Sequence, residues 1–76
     1  MNVARQSIVE FVRKYKLDVG HALPGGVFRN FLWEHTETER TEIRHELDVM
    51  TQEGFWAQRG DNLFLTEAGY DSVREK

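Results

Sequence analysis

The side chains best equipped for chemistry are His21, His35 and His45, and no two of them stand at the i, i+4 spacing that would bring both imidazoles onto one metal. The chain has no cysteine, so it has neither a thiolate zinc pattern nor a disulfide framework, which fits a reducing compartment. His35 continues an apolar face and reads as a packed histidine whose ring nitrogen is satisfied locally. Gly25-Gly26 lacks the further glycines and the lysine of a phosphate loop, so it reads as a turn before a helix. The carboxylates are numerous, and their pattern is that of a solvated surface. No catalytic constellation, metal site or cofactor site is expected, and the chain does not read as an enzyme.

The elements follow from periodicity. Ile43, Leu47 and Met50 repeat at the spacing of one helical face, and Gly54 supplies the residue that tolerates a left-handed C-terminal cap. Phe55-Trp56-Ala57 and Leu63-Phe64-Leu65 are short apolar strands around Gly60-Asp61-Asn62, which is turn chemistry, so a hairpin is the simplest solution. With a three-residue loop, Phe55, Ala57, Leu63 and Leu65 share one face and Trp56 and Phe64 the other. With a two-residue Gly60-Asp61 turn, Trp56 shares a face with Leu65, and Phe64 joins Phe55 and Ala57. Both registers stay open in the sequence. Thr66 is placed to cap a last short helix, with Glu67 where the helix dipole favours an anion.

Upstream, Ile8, Phe11, Val12 and Tyr15 line one face of a first helix, with Gln6, Glu10 and Arg13 opposite. The pattern breaks at Gly20 and again at Pro24-Gly25-Gly26, leaving room for a short edge strand around His21-Ala22-Leu23. In the second helix Val27, Phe28, Phe31, Leu32 and His35 share a side, while Trp33 points away with Arg29 and Asn30. Trp33 either lies under a neighbouring segment or anchors a partner. Thr36 and Glu39 form a capping box, with Thr38 as the alternative cap, so the third helix starts a few residues after the second ends, as in a helix-turn-helix.

A chain of 76 residues is expected to be one domain, 1–76, and a domain of this size buries only about 60% of its unfolded surface. Five Phe, two Trp and two Tyr must close its core, since nothing covalent staples it. No apolar run approaches the ~20 residues of a membrane span, and MNVARQSIVEFVRKYK is too charged for a signal peptide, so the expected location is cytoplasmic. The formal charge is −3, unevenly spread. Residues 1–17 carry Arg5, Arg13, Lys14 and Lys16 against Glu10, whereas residues 38–53 carry Glu39, Glu42, Glu46, Asp48 and Glu53 against Arg40 and Arg44.

The order helix, loop or short strand, helix, turn, helix, hairpin, helix resembles a winged helix-turn-helix domain of the bacterial and archaeal transcription-regulator type. The resemblance covers nearly all of the chain, and its most specific part is ELDVMTQEGFWAQRGDNLFLTEAG, from Glu46 to Gly69. It implies an α+β fold with a three-helix core, a C-terminal hairpin wing and a short final helix, and it implies binding of double-stranded DNA. The third helix would then enter the major groove. With Ile43, Leu47 and Met50 turned inward, Thr41, His45, Asp48 and Gln52 point outward. Arg40 and Arg44 form one flank, and Glu42, Glu46 and Glu53 the other.

The expected DNA contacts are Arg40, Thr41, Arg44 and His45 on that helix, Arg29 on the second, and Arg59 beside the hairpin turn, with Lys14 or Lys16 as further phosphate contacts. Arg40 and Arg44 also stand at pairing distance from Glu37 and Asp48 along the helix, the competing local reading. The same scaffold serves as a protein-binding module. On that alternative the acidic third helix and the aromatics Trp33, Trp56 and Phe64 meet a partner. A homodimer would use Tyr70 and Val73 of the last helix together with the segment near Val3.

Overall fold

Ile43, Leu47 and Met50 are 2%, 9% and 0% exposed, so the helix that carries them sits in the phase its periodicity predicts. The computed structural model describes residues 3–74. Its elements are α1 (Val3–Lys14), α2 (Gly25–Trp33), α3 (Glu37–Gln52), β1 (Trp56–Arg59), β2 (Asn62–Leu65) and α4 (Glu67–Arg74), an α+β arrangement of four helices and one antiparallel hairpin. One apolar cluster joins all of them, from Ile8, Val9, Phe11 and Val12 of α1 to Val73 of α4. Phe11 of α1 packs edge-on against Phe28 of α2 at 5.2 Å between ring centroids, with Phe31 5.0 Å away, so aromatic area closes that side. Among the described residues no helix is long and apolar enough to cross a membrane.

Both ends of α3 are built from local chemistry. Thr36 Oγ1 accepts from the Glu39 N–H at 3.2 Å while Glu39 Oε1 accepts from the Thr36 N–H at 2.9 Å, so the capping box belongs to Thr36 and not to Thr38. At the other end Gly54 has φ +92°, its N–H donates to Thr51 O, and the Phe55 N–H donates to Met50 O. That pair of bonds is a Schellman motif, which satisfies carbonyls the helix would otherwise orphan. The same motif ends α1: Leu17 N–H donates to Val12 O and Lys16 N–H to Arg13 O, with Lys16 itself at φ +53°. Tyr15 therefore lies at the cap, 43% exposed, and Val9 takes the buried place on α1 that periodicity gave to Tyr15.

The hairpin takes the two-residue turn. Trp56 pairs with Leu65, Ala57 with Phe64, Gln58 with Leu63 and Arg59 with Asn62. Of the two central residues only Gly60 has positive φ, the pattern of a type II′ turn. This register corrects the exposed-aromatic expectation: Trp56, 1% exposed, faces the core beside Leu65 and is closed to any partner. Phe64 is half-buried on the opposite face with Ala57. The loop before α2 lies along β2, with Ala22 bridging Phe64, Leu23 N–H donating to Leu63 O, and Leu65 N–H donating to His21 O. The expected edge segment at His21-Ala22-Leu23 is thus the third member of the sheet in all but length.

Thr66 ties α3, β1 and α4 together. Its Oγ1 accepts from the Gly69 N–H at 3.0 Å, capping α4, and its hydroxyl faces the carbonyls of Gly54 and Phe55. Gly69 then passes so close to Phe55, the residue before β1, that a Cβ there would run into the Phe55 carbonyl oxygen, with the Phe55 ring 2.9 Å away. Val73, one turn further on, is 5% exposed because α4 turns it towards α1, so it offers no dimer face; Tyr70 is half-buried and Val3 is exposed.

Candidate nucleic-acid interface

The outer face of α3 presents a row of unburied hydrogen-bonding side chains on one helix. Thr41, Arg44, His45, Asp48 and Gln52 are all exposed there, opposite the buried Ile43, Leu47 and Met50. Thr41 Oγ1 donates back to Glu37 O at 3.2 Å, which leaves its oxygen free to accept. Arg44 and Arg29 are exposed and, among the described residues, neither makes an ion pair.

Arg40 is held more firmly than a helix-surface arginine needs to be. Its Nη1 donates to the His35 carbonyl at 2.6 Å, and its guanidinium carbon lies 4.5 Å above the centroid of the Trp33 ring. The expected local partners Glu37 and Asp48 take no part in this. Trp33 is 67% exposed, so it does not lie under a neighbouring segment, and the Arg40 guanidinium lies over its ring. His35 is packed as expected: its Nδ1 sits 2.9 Å from Phe31 O, and its ring lies 4.8 Å from that of Phe31. Arg59 lies 5.8 Å from the Phe64 ring, beside the hairpin turn and on the sheet face opposite Trp56.

The acidic flank of α3 differs from a solvated row. Glu46 is 6% exposed, and Arg5 of α1 bridges it and Glu53, with Nε 2.6 Å from Glu46 Oε2 and Nη2 2.7 Å from Glu53 Oε1. Burial alone would lower the arginine's pKa; the hydrogen bonds it donates to Glu53 and Glu46 and the charges of both carboxylates outweigh it and hold the pKa above the ordinary value. Two of the three flank carboxylates are therefore internally compensated, and Glu42 is exposed and makes no ion pair among the described residues. The correction has a plain cause: Glu46 lies on the side of α3 that α1 covers.

Comparison with family models, with curated proteins and with solved structures finds no match to the chain. The site stands on its own geometry.

That geometry separates the basic residues into two groups. Arg29, Arg40 and Arg44 share the α2–α3 side. Arg5 is committed to the opposite flank, and Arg13 donates from Nε to Val73 O at 3.0 Å, so it points to α4. Lys16 lines a depression of about 430 Å³ with Arg13, Tyr70 and Arg74. Arg5 and Arg13 of the first helix are thus turned to α3 and α4, whereas Lys14 lies 5.4 Å from the Tyr15 ring centroid and lines a groove against α2 with Phe31 and His35. Among the described residues no group of histidines and carboxylates is arranged to hold a metal ion.

Two features escaped sequence reasoning. The Arg5 bridge spans 41 residues to Glu46, so no local spacing announces it. The Trp33–Arg40 stack crosses the turn between two helices, where helical phase is lost; the only sequence signal for it is an outward tryptophan seven residues before an arginine.

Proposed function

We propose that the chain is a winged helix-turn-helix domain that binds double-stranded DNA, with α3 in the major groove and the hairpin turn over the backbone. The single observation that carries this reading is the two-sided character of α3: three aliphatics buried in the core, and Thr41, Arg44 and His45 open on the other face. The edge segment at residues 20–23 pairing with β2 supports the architecture, because it adds the short strand between the first two helices that such a domain has. Arg44, Thr41 and His45 are assigned to base edges, where a bidentate arginine discriminates by about 1–3 kcal/mol. Arg29, Arg40 and Arg59 are assigned to phosphates.

Few phosphates are neutralised on this reading, so affinity per domain is modest and falls steeply with salt. A second copy would double the contacts and read two half-sites about one DNA turn apart. Titration of labelled duplexes at two salt concentrations tests the reading: a shift at low salt that fades at high salt is expected, and a flat response at low salt removes it.

The exposure of Trp33 favours a second reading, a protein-interaction adaptor on the same scaffold, in which Trp33 and the half-buried Tyr70 and Phe64 meet a partner. Recovery of a partner that survives Trp33→Ala and Phe64→Ala unchanged would leave that reading without its basis.

A further inference from the structure

Resting on the duplex-binding reading, we propose that Trp33 is the positioning residue of a phosphate clamp: its indole face and the His35 carbonyl hold the Arg40 guanidinium at the edge of α3, where it takes one backbone phosphate between Arg29 and Arg44.

Trp33 is the last residue of α2, and at 67% exposure its ring gains little from burial. What it does have is a cation 4.5 Å above the ring centroid, inside the ~6 Å range of a cation–π contact. A guanidinium carries five N–H donors, and among the described residues the Arg40 side chain donates one hydrogen bond, to His35 O. Contact with the indole face spends none of the guanidinium N–H donors, and a guanidinium with donors to spare can meet two phosphate oxygens. The carbonyl that holds Nη1 is itself backed by the core, because His35 is anchored to Phe31 through Nδ1 and through ring contact. Arg40 is therefore ordered before any ligand arrives, which removes side-chain entropy from the cost of binding.

Charge selects the occupant. Arg29 stands one turn before Trp33 on α2, and Arg44 one turn after Arg40 on α3, so the stacked pair is flanked along each helix by a further arginine, in a chain whose formal charge is −3. Among the described residues none of the three arginines makes an ion pair. Glu34 and Glu37 are exposed nearby without bonding to Arg40, so the guanidinium is not already neutralised. A regularly spaced polyanion running past the N-terminal half of α3 satisfies all three, and on the reading above that polyanion is one strand of the duplex.

The test is a double-mutant cycle on a labelled duplex, with wild type, Trp33→Ala, Trp33→Phe, Arg40→Ala and Trp33→Ala/Arg40→Ala titrated at several salt concentrations. Trp33→Ala is expected to weaken binding about three- to tenfold with unchanged melting, and Trp33→Phe to recover part of the loss. Arg40→Ala is expected to lower the slope of log K against log salt by about 0.9, and Trp33→Ala should add almost nothing in that background. Wild-type binding that Trp33→Ala leaves unchanged, or an equal penalty in both backgrounds, overturns the clamp and leaves duplex binding standing. Failure of the wild type to bind duplex at low salt overturns both, and Trp33-dependent capture of polyglutamate in its place would make the patch a protein-docking surface.

Discussion

The Arg5 guanidinium lies 2.6 Å from the buried carboxylate of Glu46 and fastens the start of α1 to the covered side of α3, 41 residues away. A carboxylate 6% exposed on a packed helix is costly unless a charge and hydrogen bonds offset the lost hydration. Arg5→Met takes that charge away while keeping much of the stem. The side chain of Arg5 is 26% exposed, so solvent screens part of the pair, and a loss of about 1–3 kcal/mol is expected in urea denaturation. An unchanged midpoint would mean that the bridge contributes nothing to the fold.

The sign of the Arg5 shift sets a pH expectation. Its pKa is raised on folding, so the guanidinium contributes its full stabilisation below the ordinary arginine range and loses it only as pH rises through the raised value. Between mildly acidic and mildly alkaline pH the stability difference between wild type and Arg5→Met should not vary through the titration of Arg5 itself. Denaturation midpoints of both proteins across that interval check it. A difference that collapses at mildly alkaline pH would contradict the upward shift.

Gly69 owes its identity to space. A Cβ at this position meets the Phe55 carbonyl oxygen, a backbone atom fixed by its hydrogen bond from the Thr66 N–H, and so cannot be accommodated by a rotamer change. Gly69→Ala is expected to destabilise by about 2–3 kcal/mol, although alanine is the better helix former by about 1 kcal/mol. A domain of this length has on the order of 4–11 kcal/mol in total, so the loss should be plain in a thermal melt. If the variant melts at or above the wild-type temperature, α4 does not sit against Phe55 as described.

Lys16 is the opposite case, a side chain in a backbone conformation that glycine adopts without strain. Its φ of +53° sits at the αL position of the Schellman motif ending α1, and its side chain is exposed. Lys16→Gly should stabilise by up to about 1 kcal/mol, a rise of about 4–8 °C per kcal/mol in a domain of this size. A fall in melting temperature would show that Lys16 makes a contact whose loss outweighs the backbone strain.

Residues that set local structure are also the ones whose structure was legible in the sequence. The spacing of Ile43, Leu47 and Met50, the Thr36-x-x-Glu39 box, Gly54 after the helix and Thr66 before α4 each act within a few residues, so a one-dimensional pattern contains them. The hairpin register needed the third dimension, because shifting by one residue exchanges the inward and outward sets, and only the packing of Trp56 against the core chooses between them. Val73 was misplaced for a related reason: helical phase alone does not say that α4 turns this side to α1. In the candidate site, the exposure of Thr41, Arg44 and His45 followed from phase, whereas the anchoring of Arg40 depends on how α2 and α3 cross.

On the proposed duplex-binding reading, Arg44 and Arg59 are assigned different kinds of contact. Arg44 projects from the outer face of α3 with no ion pair among the described residues, and Arg59 ends β1 just before the hairpin turn. If α3 reads base edges, Arg44→Ala costs about 1–3 kcal/mol on a selected site, relaxes the preference at one position and barely affects random sequence. Arg59→Ala, by contrast, should weaken selected and random duplexes alike and lower the salt slope by about one. Selection of preferred duplexes from a random pool, followed by titration of both variants on selected and random sequence, distinguishes these outcomes. Equal, sequence-independent losses for both arginines would assign α3 to the backbone and leave the domain without a base-reading element.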